Sequence, residues 1–172
     1  SKNAASIYLK QGSYEQCRFF LQKIADYSED SNEVCAAELG IIETYLWQSD
    51  NERASSILKK YSFLLDLPEL TLSQQAQFDK YVSLYIRYLN NTADFSTIRD
   101  FLSHYLDRIK NDEIRINTHI DYIEAQAFGN HNEEAIAEAL PLYQYLARHK
   151  KTFSLNKLSG VIAQHYVNIG AY

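Results

Sequence analysis

The chain contains few of the residues that interrupt helices and no segment suited to crossing a membrane. Its 172 residues include only 5 glycines and 2 prolines, and methionine is absent. Glycine and proline both weaken helices, glycine through backbone entropy and proline through its missing N–H group. No apolar run reaches the roughly 18 residues that a membrane-spanning helix needs. We therefore expect long helices and no membrane insertion.

Cysteine is also scarce, with only Cys17 and Cys35 present. Their spacing does not match a metal site and does not require a disulfide bond. The simplest interpretation is two buried thiols in a reducing compartment. Since no secretory signal is visible either, we expect a cytoplasmic location.

The charge balance is acidic, with a formal net charge of −5 and a pI of about 5.5. A phosphate backbone is bound by clustered lysine and arginine, so we expect no nucleic-acid partner for this segment. The chain is 46% hydrophobic and 23% charged, which is typical of a folded globular domain.

Catalytic and metal-binding motifs are missing from the sequence. The five histidines lie in different predicted helices or turns, and none has the helical spacing of a metal-binding pair. They are His104, His119, His131, His149 and His165. No nucleophile elbow or phosphate-binding glycine loop is present. We therefore predict no catalytic activity, no metal and no cofactor.

Helical periodicity, by contrast, runs through the whole chain. Apolar residues recur at helical spacing, and alternation never persists long enough to predict a strand, which indicates about nine antiparallel helices. The predicted helices cover residues 1–11, 14–27, 33–48, 51–63, 72–90, 94–109, 113–128, 133–149 and 154–169. Pro141 lies inside the eighth and should kink it or divide it into two pieces.

One ten-residue pattern, A-x-x-Y-x-x-x-G-x-Y, occurs near both ends of the chain. Its positions are Ala5, Tyr8, Gly12 and Tyr14, and again Ala163, Tyr166, Gly170 and Tyr172. The pattern describes a helix end, a tight turn and the start of the next helix. Its recurrence predicts stacked repeats, because one helix pair cannot bury its own apolar stripe. We predict an all-α fold, an α-solenoid forming a single domain over 1–172, with repeats at about 1–30, 31–67, 71–110, 113–150 and 152–172.

This pattern resembles the tetratricopeptide repeat family, whose unit is a helix–turn–helix of about 34 residues. Residues at the family's small position in each second helix would be Cys17, Ala54, Ile98 and Ala135, which lie 37, 44 and 37 residues apart. Several helices would therefore be longer than the family's. Isoleucines stand where the first helices of the family carry small residues, at Ile42, Ile86 and Ile123. A related α-solenoid is the alternative.

The resemblance implies a binding groove, because in this family the first helix of each pair lines a concave surface that binds a peptide or protein segment. The groove positions would be Glu43, Trp47, Lys80, Arg87, Asn90, Asn91, Asn117, Glu124, Phe128, Gln164 and Asn168. The alternative is an ordinary solvated helix face. The family's carboxylate clamp is not reproduced, since Lys80 and Arg87 alone do not form it.

Two sets of aromatic residues stand out in the sequence. Tyr81, Tyr85 and Tyr88 share one helix face, a spacing typical of core packing with hydroxyls reaching the rim. Trp47, the single tryptophan, is either a packed lid or a binding anchor.

The function predicted from the sequence is a protein-binding or peptide-binding module within a longer protein, because both ends cut through a repeat. A first alternative is the sensory half of a bacterial signalling protein, since proteins that resemble this one join such repeats to a diguanylate cyclase or a helix-turn-helix DNA-binding domain. A second alternative is a structural array that self-associates, with a homodimer as its simplest form.

Overall fold

The computed structural model describes residues 2–126 and 129–170 of the chain. Over these ranges the chain is all-α, with nine α-helices, two short 3-10 segments and no strand. The helices are α1 (Lys2–Lys10), α2 (Tyr14–Tyr27), α3 (Ser31–Trp47), α4 (Asn51–Lys60), α5 (Leu72–Asn91), α6 (Phe95–Tyr105), α7 (Asp112–Ala125), α8 (Asn132–Arg148) and α9 (Thr152–Asn168). Each predicted helix has a counterpart, so the all-α prediction is confirmed.

The fourth and sixth predicted helices end earlier than expected, because their last turns tighten. The α4 helix ends at Lys60 and is followed by the 3-10 segment Ser62–Leu65. Likewise α6 ends at Tyr105 and is followed by the 3-10 segment Leu106–Arg108. Such segments satisfy carbonyl groups that the end of an α-helix leaves free.

Pro141 does not divide α8, which runs without interruption from Asn132 to Arg148. The alternative of two separate pieces is therefore wrong. Proline removes the hydrogen bond to the carbonyl four residues earlier, here that of Ala137. Pro141 and Ala137 are both exposed, so water can replace the missing donor at little cost.

Side-chain caps define where most of the interior helices begin. Five N-cap side chains accept a hydrogen bond from a backbone N–H of the first turn: Asp30, Asp50, Thr71, Asp94 and Asn111. The Thr71 cap is reciprocal, since the Gln74 side chain also accepts from the Thr71 N–H. Each cap contributes about 1 kcal/mol to helix stability.

A residue with positive φ follows each of the five odd-numbered helices within the described ranges. These residues are Gly12, Ser49, Ala93, Asn130 and Gly170, with φ between 58° and 71°. Only the first and last are glycine, the residue that adopts this conformation without steric cost. The turn geometry therefore repeats along the chain, while the glycine that favours it is present only at the two ends.

Each interior odd-numbered helix contacts the next one along the chain. The contacts run from α3 to α5, from α5 to α7 and from α7 to α9, while each even-numbered helix packs on the two odd-numbered helices that flank it. Two apolar clusters result, one around α3 and α4 and one around α7, α8 and α9. Helix α5 supplies residues to both clusters and therefore joins them into one core.

The positions that anchor the sequence repeat are among the most buried in the molecule. Each has at most 1% of its surface exposed: Cys17, Ile42, Ala54, Ile86, Ile98, Ile123 and Ala135. Cys35 is buried as well, and both cysteines are free thiols. Burial, helped by the nearby Glu38 carboxylate, raises the pKa of Cys35 to about 11, so this thiol stays protonated at neutral pH.

A buried carboxylate on α5 fixes the connection between α6 and α7. Asp79 is 2% exposed and accepts hydrogen bonds from the backbone N–H groups of Lys110 and Asn111 at 3.2 and 2.7 Å. The Gln75 amide donates to the same carboxylate at 2.6 Å. Because Asn111 is the N-cap of α7, Asp79 determines where α7 starts relative to α5.

Arg108 joins the two 3-10 connections to each other. Its guanidinium donates to the carbonyl oxygens of Leu65 and Leu67 at 2.9 and 2.7 Å. The same group lies 4.7 Å from the ring centroid of Phe78. Its charge is therefore paired with backbone dipoles and with an aromatic face, both favourable for arginine.

Replacing Ala93 by glycine should stabilise the protein by about 0.5–1 kcal/mol, because glycine adopts the positive φ at this turn without strain. Urea denaturation followed by circular dichroism measures the change. Ala76→Gly is the matched control, since Ala76 is an exposed alanine inside α5, where glycine should instead cost about 0.5–1 kcal/mol. A loss of stability in both variants would contradict the assigned turn.

Replacing Asp79 by alanine should destabilise the protein by about 2–4 kcal/mol, because two backbone N–H groups and the Gln75 amide lose a charged acceptor. Asp79→Asn should cost less, since its carbonyl oxygen can still accept. Asp107→Ala, at an exposed carboxylate in the neighbouring 3-10 segment, should change stability by less than about 0.5 kcal/mol. Equal effects of Asp79→Ala and Asp107→Ala in urea denaturation would refute the anchoring role.

Candidate functional site

The predicted groove residues lie on α3, α5, α7 and α9, except for Phe128, which falls outside the described residues. The surface they share is named the odd-helix face. Its described members are Glu43, Trp47, Lys80, Arg87, Asn90, Asn91, Asn117, Glu124, Gln164 and Asn168. Several of them contact each other across neighbouring helices.

A salt bridge joins α3 to α5 on this face. The Lys80 Nζ lies 2.6 Å from the Glu43 Oε2, and the two side chains are 35% and 20% exposed. Since the pair is partly shielded from water, it contributes more than a fully exposed pair, whose contribution rarely exceeds about 1 kcal/mol. The charges of Lys80 and Glu43 are therefore paired with each other in the structure.

Trp47 ends α3 and is 51% exposed, so it is not a lid packed into the core. The Arg87 guanidinium of α5 lies over its ring, 3.9 Å from the ring centroid. An arginine stacked in this way on tryptophan is held by the attraction between a cation and the negative face of the ring. The outer surface of the indole remains open to solvent, and this pair is the most prominent aromatic feature of the face.

The two asparagines at the end of α5 have different environments. Asn91 donates to the Leu46 carbonyl at 3.2 Å and to the Asn51 side chain at 3.1 Å, so it holds the α3–α4 turn against α5. Asn90 donates weakly to the Asp121 carbonyl at 3.5 Å. The Asn90 Oδ1 atom is buried and has no donor within the described part of the chain.

On α7 and α9 most side chains of the odd-helix face are exposed to solvent. Asn117 is half-buried and Glu124 is exposed. Gln164 donates to Asn168 at 2.9 Å, and Asn168 donates to the Asn132 side chain of α8 at 3.0 Å. This end of the face therefore presents amides and one carboxylate to solvent.

A second salt bridge on this face was missed by the sequence reasoning. Lys157 of α9 lies 2.5 Å from Asp121 of α7, and the two residues are 36 positions apart. Glu43 and Lys80 are 37 positions apart. Opposite charges separated by about one repeat were therefore the signal that could have found both pairs.

Arg18 of α2 was also missed. Its guanidinium donates to Thr44 and to Gln48 and lies 4.7 Å from the Tyr45 ring centroid. It therefore fixes α2 against the last turns of α3, next to Trp47.

His165, considered in the sequence only as a metal candidate, is fully buried. Its Nδ1 lies 2.7 Å from the Asn132 Oδ1 and its Nε2 lies 2.8 Å from the Ile123 carbonyl oxygen. The ring therefore ties α9 to both α7 and α8. Over residues 2–126 and 129–170, no group of three or more histidine, cysteine or acidic side chains is arranged to hold a metal ion.

The odd-helix face presents polar groups and one aromatic side chain to solvent. It presents amide donors and acceptors, two paired lysines, an exposed carboxylate and one half-exposed tryptophan. These groups suit a chain segment whose backbone needs hydrogen-bond partners and whose side chains need an apolar contact.

Comparisons of the chain with protein-family models, with curated proteins and with solved structures find no significant match. Among the helices described, none combines the length and apolar character that crossing a membrane requires.

Replacing Arg87 by alanine should expose Trp47 further, because the guanidinium covers one face of its ring. Acrylamide should then quench the single tryptophan more efficiently, and the free energy of unfolding should fall by about 0.5–1 kcal/mol. Arg99→Ala is the control, since Arg99 is exposed on the even-numbered helix α6. Unchanged quenching in Arg87→Ala would refute the stacked arrangement.

Proposed function

We propose that the chain is a tetratricopeptide-like α-solenoid that binds a peptide or protein segment on its odd-helix face and carries out no catalysis itself. Three observations support the solenoid. The odd-numbered helices from α3 to α9 contact one another in sequence, the same turn conformation recurs after each, and the repeat anchors are buried.

The observation that carries the binding proposal is the Trp47–Arg87 pair. A tryptophan that is 51% exposed leaves apolar surface in water, which costs free energy until a partner covers it. Tryptophan and arginine are also the residues most enriched among those that dominate binding energy at interfaces. The pair lies beside Lys80 and Glu43, so a bound segment can place an apolar side chain on the indole and polar groups beyond it.

A peptide display library selected against the purified protein tests the proposal. Selected sequences should share an aromatic or large apolar residue, and Trp47→Ala should weaken their binding by about tenfold or more, as interface anchors do. Tyr27→Ala is the matched control, because Tyr27 is an exposed aromatic that ends the even-numbered helix α2.

Melting temperatures of both variants separate binding from folding. Equal binding of selected peptides by Trp47→Ala and the unaltered protein would refute the odd-helix face as the site, and so would an equal loss in Tyr27→Ala.

Self-association is the second candidate, because α9 and its C-cap residue Ile169 expose large apolar side chains. Phe153, Val167 and Ile169 are 82%, 53% and 42% exposed, and a second copy would remove such surface from water. Light scattering over a wide concentration range decides this, since a constant monomer mass would exclude it.

A further inference from the structure

A cleft between α4 and α6 is distinct from the odd-helix face. Helix α5 forms its floor, and the cleft has a volume of about 350 Å³. Small-molecule sites in proteins usually range over roughly 300–1,000 Å³. The cleft is therefore large enough for a compact ligand and small for a folded segment of another protein.

Five of the ten described residues that line the cleft are aromatic. The Tyr85 and Phe101 centroids are 4.7 Å apart, and Phe101 and Tyr105 are 4.6 Å apart. Tyr81 and Tyr88 extend the same cluster on either side of Tyr85, at 6.0 and 6.1 Å. These distances are typical of favourable ring packing, so the cluster is a preformed surface for a planar aromatic molecule.

The tyrosine hydroxyls of the cleft are available as donors. Those of Tyr81, Tyr85 and Tyr105 have no hydrogen-bond partner within the described ranges, whereas Tyr61 and Tyr145 elsewhere donate to carboxylates. Burial raises the pKa of Tyr81 and of Tyr85 above the ordinary value. Both therefore stay protonated at neutral pH and can donate to an acceptor.

The charge at the cleft is positive. Of the charged side chains described by the structure, Lys59 alone lines the cleft, and it has no carboxylate partner there. Asp94, the N-cap of α6, does not line the cleft, although its charge contributes to the raised pKa of Tyr85. A ligand that carries a negative group would therefore place it at Lys59 and away from Asp94.

We propose that this cleft binds a small aromatic carboxylate, with its ring against Tyr85 and Phe101 and its carboxylate at Lys59. A quaternary ammonium ligand, which aromatic residues also bind, fits less well because Lys59 would repel it. The site is independent of the proposed function, since none of its lining residues belongs to the odd-helix face.

Isothermal titration calorimetry of the whole chain with three probes tests the proposal. The probes are 2-naphthoate, the uncharged 2-naphthamide and the cation benzyltrimethylammonium. We expect saturable binding of 2-naphthoate, several-fold weaker binding of 2-naphthamide and no binding of the ammonium probe. Preferred binding of the ammonium compound, or no binding of any probe, would overturn the assignment.

Three variants locate the site. Lys59→Gln should weaken 2-naphthoate binding by up to about fivefold, the upper end for a charge contact at an exposed lysine, and should leave 2-naphthamide binding unchanged. Lys10→Gln is the matched control, because Lys10 is an exposed lysine in the last turn of α1. Ser55→Phe places a ring in the cleft from α4 and should abolish binding of both probes while circular dichroism confirms the fold. Unaltered 2-naphthoate binding in Lys59→Gln and Ser55→Phe would place the probe elsewhere and refute the proposal.

Discussion

Helix α5 is covered on both sides by the odd-numbered helices α3 and α7, and the rest of the structure depends on that double coverage. A lone helix pair leaves one apolar stripe in water. Because α5 contributes to both apolar clusters, it joins them into one core. The buried Asp79 carboxylate and the Arg108 guanidinium then fix the two connections that lie beside α5, so the packing also determines where α7 begins.

The odd-helix face contains charged side chains that link its helices and one aromatic side chain that stays half exposed. Glu43 with Lys80 and Asp121 with Lys157 link successive odd-numbered helices across the surface. The two charges within each pair neutralise each other, so the pairs hold neighbouring helices together more than they offer free charge to a ligand. Trp47 differs because only one face of its ring is covered, by Arg87, and half of the residue stays in water.

The aromatic cleft arises from the same packing. Helices α4 and α6 each pack on α5, and the tyrosines of α5 lie between them. Tyr81 is buried, while Tyr85 and Tyr88 are only half-buried. The tyrosine stripe, whose spacing is typical of core packing, is therefore partly exposed to solvent. Periodicity identifies such a stripe but does not show how closely two flanking helices approach each other.

Sequence alone determined the helices and their order, because apolar spacing, capping residues and turn residues are local signals. It also identified positions such as Ala54 and Ala135 that are buried. It did not determine that Asn91 would donate a hydrogen bond to the Leu46 carbonyl near the end of α3. It also did not determine that His165 would tie α9 to α7 and α8, or that α8 would continue through Pro141. Those outcomes depend on which groups of distant helices come within hydrogen-bonding distance and which backbone groups stay in water, and only the tertiary structure decides that.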